Sequence, residues 1–313
     1  MIRQTRVCTF GLLAFLVAAA QSAPALAQER YALVVSGVSG SEKFAETQKA
    51  WLASLQTALQ QRLGFTTERL TVLSENGPPE AAATRENVTR TLAALKSRMT
   101  AADTFVVILI GHGTFDGTAA KFNLVGPDMD SREWKTALEA MPARLVFVNT
   151  TSSSFEFVKA LAGKNRVIIA ATESAAQKYT TLFPQFFIEA LEQDAKADID
   201  KNGRLSVWEA FTYAGQAVKL AFDQKGTLVT ERSVIEDGSN GVLAKTTFFD
   251  PAPAATAGNA ALAELEKRRI VIETEIEQLK GRKGQMPAGQ YEEEFERLAI
   301  ELAKISAQIR STK

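Results

Sequence analysis

Short apolar runs recur along this chain with helical segments between them, and that alternation leaves few folds open. Tyr31 to Ser36, Phe65 to Leu73, Phe105 to Ile110, Arg144 to Asn149 and Arg166 to Ala171 each have the length of a strand. Most lack the polar alternation of a half-exposed one. Between them Phe44, Trp51, Leu55 and Leu59 recur at helical spacing up to Gly64, and Thr84 precedes Val88, Leu92 and Leu95. Further helices are expected at about Ser131 to Ala140, at Phe155 to Leu161, and from Pro184 through Phe186, Phe187, Ile188 and Leu191. Continuous apolar strands separated by helices predict an α/β fold, a mainly parallel sheet with helices on both faces. Ligands of such sheets sit beyond the carboxyl ends of the strands.

The ends of the chain read differently. Arg3 and Arg6, an apolar stretch from Val7 to Ala20 and the small-residue site Ala25-Leu26-Ala27 predict a signal peptide over residues 1–27. The expectation is therefore an exported, periplasmic or secreted protein beginning near Gln28. The single cysteine, Cys8, lies early in this leader, misplaced for a lipid anchor, so the mature part is left without a thiol. Disulfides are excluded and a sizeable core must hold the fold. The full chain carries 36 basic and 36 acidic residues; losing Arg3 and Arg6 leaves a net charge of about −2, which argues against nucleic acid as a partner. No later run approaches the ~20 apolar residues of a transmembrane segment.

An α/β domain is expected over 28–249, a proline- and alanine-rich linker over 250–258 and a helical pair over 259–313. Leu262, Leu265, Ile272, Ile276 and Leu279 follow heptad spacing with Arg269 interrupting. Tyr291, Phe295, Leu298, Leu302, Ile305 and Ile309 repeat it after a turn at Gly281 to Gly289. This predicts an antiparallel hairpin of coiled-coil type, packed on itself or its own domain, or serving as an oligomerisation or partner-docking arm.

Residues Asp198 to Glu209 fit a twelve-residue calcium loop of EF-hand type. Asp198, Asp200 and Asn202 offer side-chain oxygens at positions one, three and five, and Gly203 allows the sharp turn. Arg204 offers its carbonyl, Ser206 binds through water, Glu209 closes the shell with two oxygens, and Leu205 is the apolar residue between the halves. A structural Ca2+ is the expectation; a helix–turn–helix loop with solvated acids is the plainer alternative. No second complete loop follows, and Glu236-Asp237-Gly238-Ser239-Asn240-Gly241 is too incomplete to count as one.

The only histidine, His112, stands between Gly111 and Gly113 at the exit of the Phe105–Ile110 run. About forty residues later another strand ends in Asn149-Thr150-Thr151-Ser152-Ser153-Ser154. With one histidine and no thiol, a zinc site lacks ligands. The order strand, His-Gly, strand, short polar turn resembles the caspase–haemoglobinase fold, in particular legumain-type and bacterial caspase-like cysteine peptidases. The resemblance covers roughly Tyr31 to Ala221, with a further similarity near Thr230-Glu231-Arg232. It implies that His112 matches the family histidine and that Thr151 falls where the cysteine belongs. Ser153 matches the family serine, while Ser154 replaces a glycine and Asn149 an acidic residue. Ala171-Thr172-Glu173-Ser174 looks like the pocket-lining turn, with Thr172, Glu173 and Ser174 as pocket residues.

The departure from that pattern decides the functional expectation. An imidazole generates a thiolate because a thiol ionises near neutral pH. A threonine hydroxyl does not, and its branched Cβ restricts approach to a carbonyl. The expected protein is a pseudopeptidase, a calcium-stabilised binding or scaffolding module for a protein or peptide partner. The alternative is an active hydrolase pairing His112 with Thr151 or a neighbouring serine; a third reading is a structural calcium protein with a vestigial cleft.

Overall fold

The computed structural model of the chain describes residues 28–192, 194–251 and 260–312. The expected signal peptide at 1–27 and residues 252–258 of the expected linker lie outside them. Five parallel strands make the centre: β1 (Arg30–Ser36), β2 (Leu70–Ser74), β3 (Thr104–Ile110), then β7 (Arg144–Asn149) and β8 (Arg166–Ala170). The numbering leaves room for a small antiparallel excursion after β3, formed by β4 (Gly113–Phe115), β5 (Ala120–Phe122) and β6 (Met129–Asp130). The main sheet runs β2-β1-β3-β7-β8-β9, where β9 (Val234–Glu236) closes one edge antiparallel to β8.

Both faces are covered, as uninterrupted apolar strands require. Ala32, Val34, Val106, Ile108, Val146, Val148 and Ile169 face α1 (Glu42–Thr57), α5 (Phe183–Glu192) and α7 (Val207–Gln224). Leu33, Val35, Phe105, Val107, Leu109 and Phe147 face α2 (Arg85–Lys96), α3 (Ser131–Ala137) and α4 (Phe155–Leu161). Within this frame Trp134 packs edge-on to Phe147, and Phe147 stacks on Phe157. Caps start the helices where the sequence suggested. Thr84 accepts from Asn87 N, and Ser206 forms a reciprocal capping box with Glu209 at the head of α7.

Two short helices, α6 (Asp194–Ala197) and α8 (Val242–Lys245), flank the loop at 198–206 and the chain's return from β9. The hairpin is present: α9 (Ala260–Gly281) and α10 (Ala288–Thr312) share their own apolar cluster. All eleven heptad residues named above belong to it, while Arg269 lies beside Glu273 (3.6 Å) instead. Among the described residues no helix is long and apolar enough to cross a membrane.

Candidate functional site

Neighbouring parallel strands bring the two halves of the expected dyad to one sheet edge. β3 and β7 are paired with Leu109 opposite Asn149, so His112 and Thr151 leave the sheet side by side. Thr150 fixes the junction: its backbone N–H and its hydroxyl both donate to Leu109 O, at 3.2 and 2.6 Å. Gly113 then passes directly over the following turn. A Cβ at Gly113 would lie 2.2 Å from Ser152 O and 2.5 Å from Thr151 Oγ1, so only glycine permits the approach.

The polar turn is closed rather than open. Thr151 and Ser154 are fully buried, and Ser152 and Ser153 nearly so. The Thr151 hydroxyl donates to Asn149 Oδ1 at 2.8 Å, and Asn149 Oδ1 also accepts from Thr151 N. Ser152 Oγ donates to Gly113 O, Ser153 Oγ to Ala175 O, and Ser154 exchanges hydrogen bonds with Thr172. Each hydroxyl is thus spent on the protein's own backbone or side chains, as burial demands. The Nδ2 of Asn149 is the exception, a buried donor with no hydrogen-bond partner.

His112 is half-buried. Its ring lies 4.2 Å from the Phe44 ring at 31°, and Nε2 sits 2.9 Å from Ser39 O. A carbonyl only accepts, so Nε2 carries the proton in this contact and Nδ1 is left as the basic nitrogen. Among the described residues no carboxylate hydrogen-bonds the ring. Asp116 is engaged by Lys121, Ala119 N and Thr118 N, and Asp103 by Glu29 N and Thr100.

The expected pocket residues divide. Thr172 is buried against Ser154 and lines a cavity of about 260 Å3 with Gln177, Thr181, Leu182 and Glu231. Glu173 is exposed and pairs with Arg232 at 3.6 Å, while Ser174 accepts from Ala176 N. The residue that sequence reasoning placed only in a distant similarity is Glu231. Its two carboxylate oxygens accept from Leu182 N and Phe183 N, holding the first turn of α5, and burial pushes its carboxyl up to about 7.

The acidic loop adopts the curvature its residues predict. Gly203 has φ +82° at the sharp bend. Asp198, Asp200 and Glu209 bring one oxygen each within 4.8 Å of one another. Burial first, then the charge of Glu209, raise the Asp200 carboxyl to about 6. Such hard oxygen donors suit Ca2+, which would offset the repulsion among them. The Asn202 amide oxygen accepts from Arg204 N, and Ser206 is the helix cap bonded to Glu209. Arg204 directs its side chain away, to Asp250 and over the Phe248 ring.

In place of a second loop, the segment 247–249 braces this one. Val207 N donates to Thr247 O and Phe249 N to Leu205 O, and Asp250 accepts from Leu205 N. Asp250, assigned to the linker from its surroundings, is therefore a fixed part of the loop's support. The acidic stretch 236–241 has another use: Asp237 accepts from Ser239 N, Gly241 N and Ala244 N, fastening α8.

No protein-family model matches this chain, and no curated protein matches it. Among solved structures it is similar to a protein of Geobacter sulfurreducens, with 11% identity and a TM-score of 0.44 over 71% of this chain and 99% of that one. It is also similar to caspase-1 of Spodoptera frugiperda, with 13% identity and a TM-score of 0.44 over 73% of this chain and 92% of that one.

Proposed function

We propose that this chain is an exported pseudopeptidase of caspase or legumain type, acting as a calcium-stabilised module that holds a protein or peptide. The single observation that carries the non-catalytic reading is the buried Thr151 hydroxyl. At the position the resemblance gives to the nucleophile, it donates to Asn149 inside a closed turn. An alkoxide there would have to form without solvent and without a general base in hydrogen-bond contact. His112, the only imidazole, is bonded to Ser39 O through Nε2. The neighbouring serines are buried and engaged in the same way.

The resemblance itself is supported by the order of residues on the sheet, with His-Gly after one strand and the polar turn after its parallel neighbour. Calcium is supported by the convergence of Asp198, Asp200 and Glu209 around a glycine bend. Export rests on the leader read from residues 1–27. Exposing the mature protein to a peptide library tests the functional reading: retention of peptides without cleavage is the expected result.

A further inference from the structure

The hairpin and the acidic loop face each other across a cavity of about 460 Å3. Asp200, Asn202 and Glu209 line it from the loop, Glu273 and Glu277 from α9. Glu277 is balanced, with Lys245 of α8 at 3.0 Å and Lys280 at 2.7 Å. Oε2 of both glutamates is buried without a hydrogen bond, but that of Glu277 has the Lys245 ammonium at 3.0 Å, whereas the ion pair of Glu273 is the looser one, with Arg269 Nε 3.6 Å from Oε1. We propose that a divalent cation in the 198–209 loop draws the C-terminal hairpin onto the α/β body through Glu273, so that metal binding and hairpin docking are one linked event.

The proposal rests on the calcium reading of the loop and adds its consequence. Without a cation, Glu273 faces Asp200 and Asp198, carboxylates of its own sign, and docking works against that repulsion. Burial first, and then Asp200 and Asp198, raise the Glu273 carboxyl, opposed by Arg269 and Arg204. A bound Ca2+ lifts most of that repulsion: against the three loop carboxylates its two positive charges leave a net −1 in place of −3, and the buried Glu273 Oε2 gains a cation to face. The hairpin can respond as a body because it has its own apolar cluster, separate from the two clusters of the sheet. Other links join it to the domain. They include the Lys245–Glu277 pair and the approach of Gly281 to Val242, where a Cβ would come within 2.9 Å of the valine. Linkage is reciprocal, so a docked hairpin also tightens the loop's hold on the cation.

Hydrogen exchange across α9 of the mature protein, in millimolar calcium and in chelator, tests this beside calorimetric measurement of calcium binding. Calcium is expected to slow exchange over residues 270–281 at least tenfold in the unmodified protein. In Glu273→Gln calcium still binds, but the calcium-dependent difference falls below about threefold because docking no longer opposes a charge. Calcium binding with unchanged α9 exchange in the unmodified protein would overturn the linkage and leave the calcium reading standing. Absence of calcium binding would overturn both. A full calcium response retained in Glu273→Gln would overturn the role of Glu273.

Discussion

The hydroxyl of Thr151 points inward, to Asn149 Oδ1 at 2.8 Å, and Gly113 is packed over it closely enough to exclude a Cβ. In this arrangement the residue at the position that the resemblance gives to a nucleophile closes the turn it sits in. The same contact makes the turn sensitive to small changes.

Burial of that position is directly measurable. Residues 28–313 contain no cysteine, so Thr151→Cys introduces one thiol there. In the folded protein that thiol should react with a small disulfide reagent at least tenfold more slowly than in denaturant. Equal rates would mean that the turn opens freely.

Gly113→Ala should destabilise the fold by about 1–3 kcal/mol, because the added methyl meets the Ser152 carbonyl and the Thr151 hydroxyl at once. Thermal or denaturant unfolding reads this. Thr151→Val, of similar shape, should cost only about 1 kcal/mol, the net value of one lost hydrogen bond.

Glu231 sets a pH dependence of definite sign. Its carboxyl is pushed up to about 7 in the folded protein from an ordinary 4.5. The native state therefore binds more protons than the unfolded one between those values. Its contribution is most favourable below pH 4.5 and is lost as pH rises toward 7. Stability should fall by up to about 3 kcal/mol from this group across that window. Glu231→Gln should flatten the profile; an unchanged slope in denaturation curves at pH 5 and 7.5 would assign it elsewhere.

Calcium should raise the unfolding temperature relative to chelator. A concentration one hundred times Kd would contribute about 2.7 kcal/mol. Glu209→Gln should abolish most of that shift, since in the proposed site Glu209 would supply the closing carboxylate, while the capping-box geometry at Ser206 keeps a hydrogen-bonding partner. The same unfolding temperature with and without calcium would contradict the metal assignment.

The main sheet was legible because Phe105 to Ile110 and its counterparts are apolar on both faces, and the hairpin because heptad residues all fall in one cluster. The β4–β6 excursion was not, since strands of two or three residues carry no period. The edge strand β9 was hidden for the same reason. Asn149 to Ser154 reads only as a short polar turn, and its sequence does not say that it is interior. Its hydroxyls are matched by Leu109 O, Gly113 O and Ala175 O, which come from segments far away in sequence. The contact of Glu231 with α5 spans 48 residues and likewise leaves no local signal. His112 and Thr151 could be paired by order alone, but the inward turn of Thr151 required the packing around it.

The most direct measurement of the non-catalytic claim is peptide turnover by residues 28–313 beside His112→Ala, with calcium present. The account predicts no cleavage above background in either, with peptide binding retained. Cleavage by the unmodified protein that disappears in His112→Ala would contradict it.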